Sequence, residues 1–92
     1  VLERTKKMKV KILYFARLRE MLNVESEVYE LTGEKVSIFQ LRDLLQLRGK
    51  IWHDQLSEHS TVRIALNQEI VDGEELLKEG DEVAFFPPVT GG

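Results

Sequence analysis

Over residues 9–15 the chain alternates, placing Val10, Ile12 and Tyr14 on one side and Lys9, Lys11, Leu13 and Phe15 on the other. That period of two predicts a half-buried strand. Leu18, Met21 and Leu22 then recur at helical spacing over residues 16–22, and Asn23 can take the left-handed conformation that stops a short helix. A second strand is expected over residues 25–31, with Thr32-Gly33-Glu34-Lys35 as the following turn. Ser37 and Gln40 have the spacing of a capping box, and Val36 and Leu41 that of a hydrophobic staple, so the main helix begins at Ser37. Leu41, Leu44, Leu45 and Arg48 define its expected face, and Gly49 its C-terminal cap.

Beyond this helix, residues 51–56 can form a further helical turn, followed by the polar loop Ser57-Glu58-His59-Ser60. Val62, Ile64 and Leu66 alternate with Thr61, Arg63 and Ala65 in a strand that ends at Asn67-Gln68. Ile70-Val71 is a short apolar pair, with turns at Asp72-Gly73 and Gly80-Asp81. In the last strand, residues 82–86, Val83 and Phe85 share one face and Ala84 and Phe86 the other. Two strands, a helix, then two or three strands describe an α+β domain, one mixed sheet covered by one principal helix.

Ninety-two residues, 42% of them hydrophobic, suffice for one small core. No apolar run reaches the roughly 18 residues of a membrane span, and no apolar segment follows residues 1–7 to make a signal peptide, so a cytoplasmic protein without membrane contact is expected. There are no cysteines, which excludes disulfides and thiolate metal sites. His53 and His59 make no metal-ligand pattern with the carboxylates, and no metal is expected. Thirteen basic and 16 acidic residues leave a net charge of −3, so nucleic acid is not an expected partner. Basic residues crowd the start (Arg4, Lys6, Lys7, Lys9, Lys11), whereas Glu69, Asp72, Glu74, Glu75, Glu79, Asp81 and Glu82 precede the tail, either as solvated turns or as a steering patch.

The end, Phe85-Phe86-Pro87-Pro88-Val89-Thr90-Gly91-Gly92, is a different object. Two prolines lack N–H donors, hold φ near −65° and push their predecessors toward extended geometry, so the chain leaves the fold as an arm. Gly91 and Gly92 make its tip thin enough to thread a narrow active site and present an unhindered carboxyl carbon. Terminal glycines alone are also common as frayed ends. The tail is thus residues 87–92, after a globular domain ending at residue 86.

The stretch Asp81-Glu82-Val83-Ala84-Phe85-Phe86-Pro87-Pro88-Val89-Thr90-Gly91-Gly92 resembles the C-terminus of the molybdopterin synthase small-subunit family. Lys11-Ile12-Leu13-Tyr14-Phe15-Ala16-Arg17-Leu18-Arg19-Glu20 is similar to that family's opening strand and turn, and Ala65-Leu66-Asn67-Gln68-Glu69 to its middle strand. The resemblance places the start of the globular domain at Met8 (8–86) and leaves residues 1–7 as an extension, an upstream start or a cloning remnant. The resemblance implies a ubiquitin-like β-grasp fold and a sulfur carrier that is not catalytic alone. Gly92 would be adenylated by a ubiquitin-activating-type enzyme that uses ATP, and a persulfide donor would convert it to a thiocarboxylate (1-thioglycine). The sulfur would pass to cyclic pyranopterin monophosphate, forming the dithiolene of the molybdenum cofactor. An α-carboxyl, with a pKa of about 3.3 to 3.7, is ionised at neutral pH and can attack the ATP α-phosphate. The chain itself has no glycine-rich phosphate loop and no nucleophilic triad, so no cofactor is expected to be bound.

Pro87, Pro88, Val89, Thr90 and Gly91 would lie inside the large subunit's active site, in an assembly of two small and two large subunits. Phe15, Ile70 and Phe86 match positions of the family's docking surface; parity sets Phe15 beside Lys9 and Lys11, and Phe86 opposite Val83 and Phe85. The other outcome for these aromatics is burial by strand-end twist. Three other functions fit a Gly-Gly end: a carrier for thiamine thiazole or another thiolated metabolite, a ubiquitin-like protein modifier, and a plain interaction module. The first is commonly shorter and without Phe-Pro-Pro; for the second, the Arg that precedes Gly-Gly in ubiquitin is replaced here by Thr90; and the third leaves the proline stalk unexplained.

Overall fold

In the computed structural model, which describes residues 6–88, strand β1 (Lys7–Tyr14) buries Met8, Val10, Ile12 and Tyr14 and turns Lys7, Lys9 and Lys11 to solvent. Pairing with the following strand begins at Lys7, two residues ahead of the alternation that starts at Lys9. Helix α1 (Arg17–Leu22) buries Leu18 and Leu22 and stops at Asn23, whose φ of 58° is the left-handed stop its side chain tolerates. Met21, expected inside, is exposed on the far side of this short helix. Strand β2 (Ser26–Thr32) returns antiparallel to β1.

Helix α2 (Ile38–Gln46) starts as its sequence requires. The Gln40 N–H donates to Ser37 Oγ at 3.2 Å, and the Ser37 N–H donates to Gln40 Oε1 at 2.8 Å. The two donors ahead of Gln40 are taken by a strap of later chain: the Ile38 N–H reaches the Glu75 carbonyl at 3.1 Å and the Phe39 N–H the Gly73 carbonyl at 3.0 Å. The helix N-terminus is thereby satisfied by protein groups. Ile38, Leu41 and Leu45 form the buried stripe. Leu44, expected beside them, is exposed, because each residue advances about 100° and it falls about a quarter-turn off the axis of that stripe. Arg48 and Gly49 also differ from expectation. The helix closes at Leu47 in right-handed geometry, and Gly49, at φ 151°, opens a further helix, α3 (Lys50–Leu56), where the His53 N–H caps onto its carbonyl at 2.9 Å. Leu56 is the buried anchor of α3, and Trp52 packs partly buried on the core.

Strand β3 (Arg63–Leu66) turns through Asn67 and Gln68, both at positive φ (51° and 73°), into the short β4 (Glu69–Val71). Positive φ at both central residues gives a tight turn whose twist matches the strands. The final strand, β5 (Glu82–Phe86), enters the middle of the sheet, parallel to β1 and antiparallel to β3, in the order β2-β1-β5-β3-β4. With helices on one face only, Val83 and Phe85 are sealed in the core and the opposite face stays open.

Gly73 holds the strap against α2 in a conformation (φ 113°) that other residues avoid, and a Cβ there would overlap the Phe39 ring. Gly73→Ala is therefore expected to destabilise the fold by about 3 kcal/mol, combining backbone strain with overpacking. Urea unfolding checks this: a loss below about 0.5 kcal/mol would mean that the strap simply shifts.

Candidate functional site

Proline cannot donate to a ladder, so pairing of β5 ends at Phe86 and the chain departs through Pro87 and Pro88, both half-buried. Because β5 is central, this departure point has partners on both sides. The Phe15 N–H donates to the Phe85 carbonyl at 3.1 Å, and Arg63 stands opposite Phe86. Residues 89–92, and with them the expected reactive Gly92 and the Val89, Thr90 and Gly91 of the tail, lie outside the described residues.

The open sheet face at the root of the tail is apolar. Strand register aligns Leu13, Ala84, Ala65 and Ile70 in one row across β1, β5, β3 and β4. The two alanines leave a hollow of about 550 Å³, bordered by Phe15, Phe86 and Ile70 with Gln68 and Glu82 as polar rim. Phe15 is 45% and Ile70 67% exposed, and Phe86 is half-buried, so strand-end twist does not take them into the core. All three expected interface residues thus border one depression. An exposed apolar surface of this kind is a candidate docking surface. Leu13, Ala65 and Ala84 complete it and were not singled out in the sequence. Their strand parity was visible, but their meeting in one row depends on long-range register.

Directly beneath, on the helix side, a polar network anchors the ends of β1 and β5. Tyr14 stacks on Phe85 with ring centroids 6.0 Å apart and meets Trp52 edge-on at 5.6 Å. Its hydroxyl donates to Glu27 Oε2 at 2.7 Å, and Arg48 donates two further bonds to the same carboxylate, both at 2.8 Å. The Arg48 guanidinium also lies over Trp52, 4.5 Å from the ring centroid, and over Tyr29 at 5.5 Å. Arg48 therefore ties the α2–α3 junction to strand β2 instead of extending the face of α2. Its approach to Glu27 is set by tertiary packing 21 residues away, which spacing along the chain does not reveal.

The network has an acid signature. Burial raises the Glu27 pKa, but the hydrogen bonds from Arg48 and Tyr14 outweigh it and hold the carboxyl below its ordinary value of 4.5. Burial, reinforced by the Glu27 carboxylate, pushes the Tyr14 phenol far up, keeping it a donor. A depressed folded-state pKa stabilises the fold above the unfolded value, and that contribution is lost as pH falls through the folded one. Stability should therefore decline below pH 4.5. In Glu27→Gln that part of the decline should vanish; urea midpoints measured from neutral to acid pH check it, and parallel profiles would assign the acid loss to other groups.

The two histidines sit apart from this site, each beside its neighbouring carboxylate, His53 Nδ1 3.5 Å from Asp54 and His59 Nε2 3.9 Å from Glu58. Among the described residues no cluster of three His, Cys, Asp or Glu could hold a metal ion, and no helix is long and apolar enough to cross a membrane.

Residues 12–92 match the sequence pattern of the ThiS family. The chain belongs to the ThiS family. Among relatives of this ThiS-family chain, the molybdopterin synthase sulfur carrier subunit of Chlamydomonas reinhardtii is 42% identical over 88 residues, spanning 92% of this chain and 100% of that one. The molybdopterin synthase sulfur carrier subunit of Escherichia coli is 36% identical over 83 residues, 90% of this chain and 99% of that one. A chain from the protein–protein complex of subunits 1 and 2 of molybdopterin-converting factor from Helicobacter pylori superposes with a TM-score of 0.63 at 28% identity, covering 92% of this chain and 100% of that one. The five-stranded mixed sheet with its covering helices is the ubiquitin-like β-grasp of these carriers, as expected from the sequence.

Proposed function

We propose that this chain is the cytoplasmic sulfur carrier subunit of a molybdopterin synthase, with Gly92 as the acting residue. One observation carries the reading furthest: the proline stalk leaves the sheet beside an apolar hollow bordered by Phe15, Ile70 and Phe86. A partner that covers this hollow has the tail root under its surface and can receive the last residues in its own active site. The named relatives and the two-subunit assembly of the Helicobacter pylori protein support this choice of partner. Two carriers on a large-subunit dimer would give the working assembly.

The chemistry divides between partners. In an activating enzyme of the ubiquitin-activating type, an oxygen of the Gly92 carboxylate attacks the α-phosphate of ATP, releasing pyrophosphate and leaving a glycyl adenylate. AMP is a far better leaving group than hydroxide, so hydrosulfide can displace it and leave a thiocarboxylate, and a persulfide donor delivers the same sulfur once a thiol has cleaved the S–S bond of the acyl disulfide it forms. Seated in the large subunit, that sulfur attacks cyclic pyranopterin monophosphate, water then cleaves the acyl–sulfur bond to return the Gly92 carboxylate and leave the sulfur on the substrate, and a second loaded carrier supplies the other dithiolene sulfur. The carrier contributes orientation and reach, and its partners contribute ATP binding and proton transfer.

Reconstitution tests the assignment. Thiocarboxylated chain mixed with the large subunit and cyclic pyranopterin monophosphate should yield molybdopterin and return the Gly92 carboxylate. No product from demonstrably thiocarboxylated chain in a stable complex would redirect the assignment toward another thiolated metabolite.

A further inference from the structure

A second depression, about 600 Å³, lies between α2 and the free edge of β4. Two arginines face it, Arg42 from α2 and Arg63 from β3, and Ile70 lines both this depression and the apolar hollow. Arg42 is positioned by packing: its guanidinium lies 4.7 Å from the centroid of the Phe39 ring, and its Nε–H is closed off from solvent without an acceptor. Among the described residues neither arginine is in an ion pair or donates a side-chain hydrogen bond. Asp43, Glu58 and Asp72 also line the depression but stand outside ion-pair distance of both guanidinium groups. A guanidinium held in place by packing, with a second arginine lining the same depression from the sheet and carboxylates at the rim, suits a particular occupant. An acidic side chain fits the arginines, and basic neighbours fit the rim.

We infer that this groove is a second contact for the large subunit, receiving from it a carboxylate side chain flanked by basic residues. The inference rests on the proposed function, because continuity through Ile70 places the groove at the margin of the surface that the large subunit would cover. An apolar hollow supplies area, and a charged margin of this kind supplies register and selectivity between partners that must both grasp the same tail.

The test is calorimetric affinity of full-length chain for the large subunit at low and high salt, for wild type, Arg42→Gln, Arg63→Glu and Phe86→Asp. Both arginine variants should bind about tenfold or more weakly at low salt, with a shallower dependence on salt than wild type. Arg63 is exposed, so Arg63→Glu decides the matter should Arg42→Gln lower the melting temperature. Arginine variants binding within about twofold of wild type, with an unchanged salt slope, while Phe86→Asp fails to bind, would overturn the groove and leave the proposed function standing. Unimpaired binding by Phe86→Asp as well would remove the proposed docking surface, and the groove with it.

Discussion

Deletion of Gly92 is expected to abolish adenylation and sulfur transfer completely while leaving the melting temperature unchanged. The chain has no cysteine, so no side chain can take over as sulfur carrier. A tail shortened by one residue also retracts its carboxylate by about 3.3 to 3.6 Å, far outside the sub-ångström tolerance of an in-line attack on a phosphate. Stability should not follow activity, because Val83 and Phe85, the buried residues of β5, lie before the stalk and keep their packing. Replacing Gly91 with a bulky residue should act alike by blocking entry to the activating enzyme. ATP–pyrophosphate exchange and thermal unfolding, measured on the same samples, check both halves. Full exchange activity in the deletion would remove Gly92 from the mechanism.

Phe85 and Phe86 are adjacent and should separate folding from docking. Phe85 is fully buried against Tyr14, so Phe85→Ala is expected to cost about 3 to 5 kcal/mol of stability through lost burial and a cavity. Phe86 is half-buried on the open face beside the hollow. Phe86→Asp should weaken large-subunit binding by 100-fold or more, about 3 kcal/mol, as expected for a central aromatic anchor replaced by a charge. Its cost to stability should stay near 1 kcal/mol. Urea unfolding and calorimetric binding give both numbers. If Phe86→Asp unfolds the protein but the remaining folded fraction binds normally, the open face is structural.

Much of this arrangement is legible in the sequence. Period-two alternation in β1 and β5 assigns each side chain to a face, which is why Phe15 and Phe86 could be placed outside and Val10, Ile12, Tyr14, Val83 and Phe85 inside. The Ser37–Gln40 capping box located the start of α2 because both of its bonds are local. Difficulty began where local rules compete. A glycine after a helix reads as its cap, yet Gly49 opens α3, because the chain turns at Leu47 and restarts within three residues. Leu44 and Met21 carry apolar side chains that the sequence alone cannot assign to core or surface on such short helices. The Arg48–Glu27–Tyr14 network and the Leu13–Ala84–Ala65–Ile70 row were out of reach, since each joins elements far apart in sequence through packing and register.

The central claim is that sulfur travels on the Gly92 carboxyl, and intact mass measures it most directly. The chain is incubated with ATP, sulfide and an activating enzyme of the ubiquitin-activating type, then weighed and fragmented. A gain of about 16 mass units confined to Gly92, one oxygen replaced by sulfur, is the predicted result. An unchanged mass with a competent enzyme, accompanied by Gly92 joined to lysines of other proteins, would contradict the sulfur-carrier account and make the chain a protein modifier.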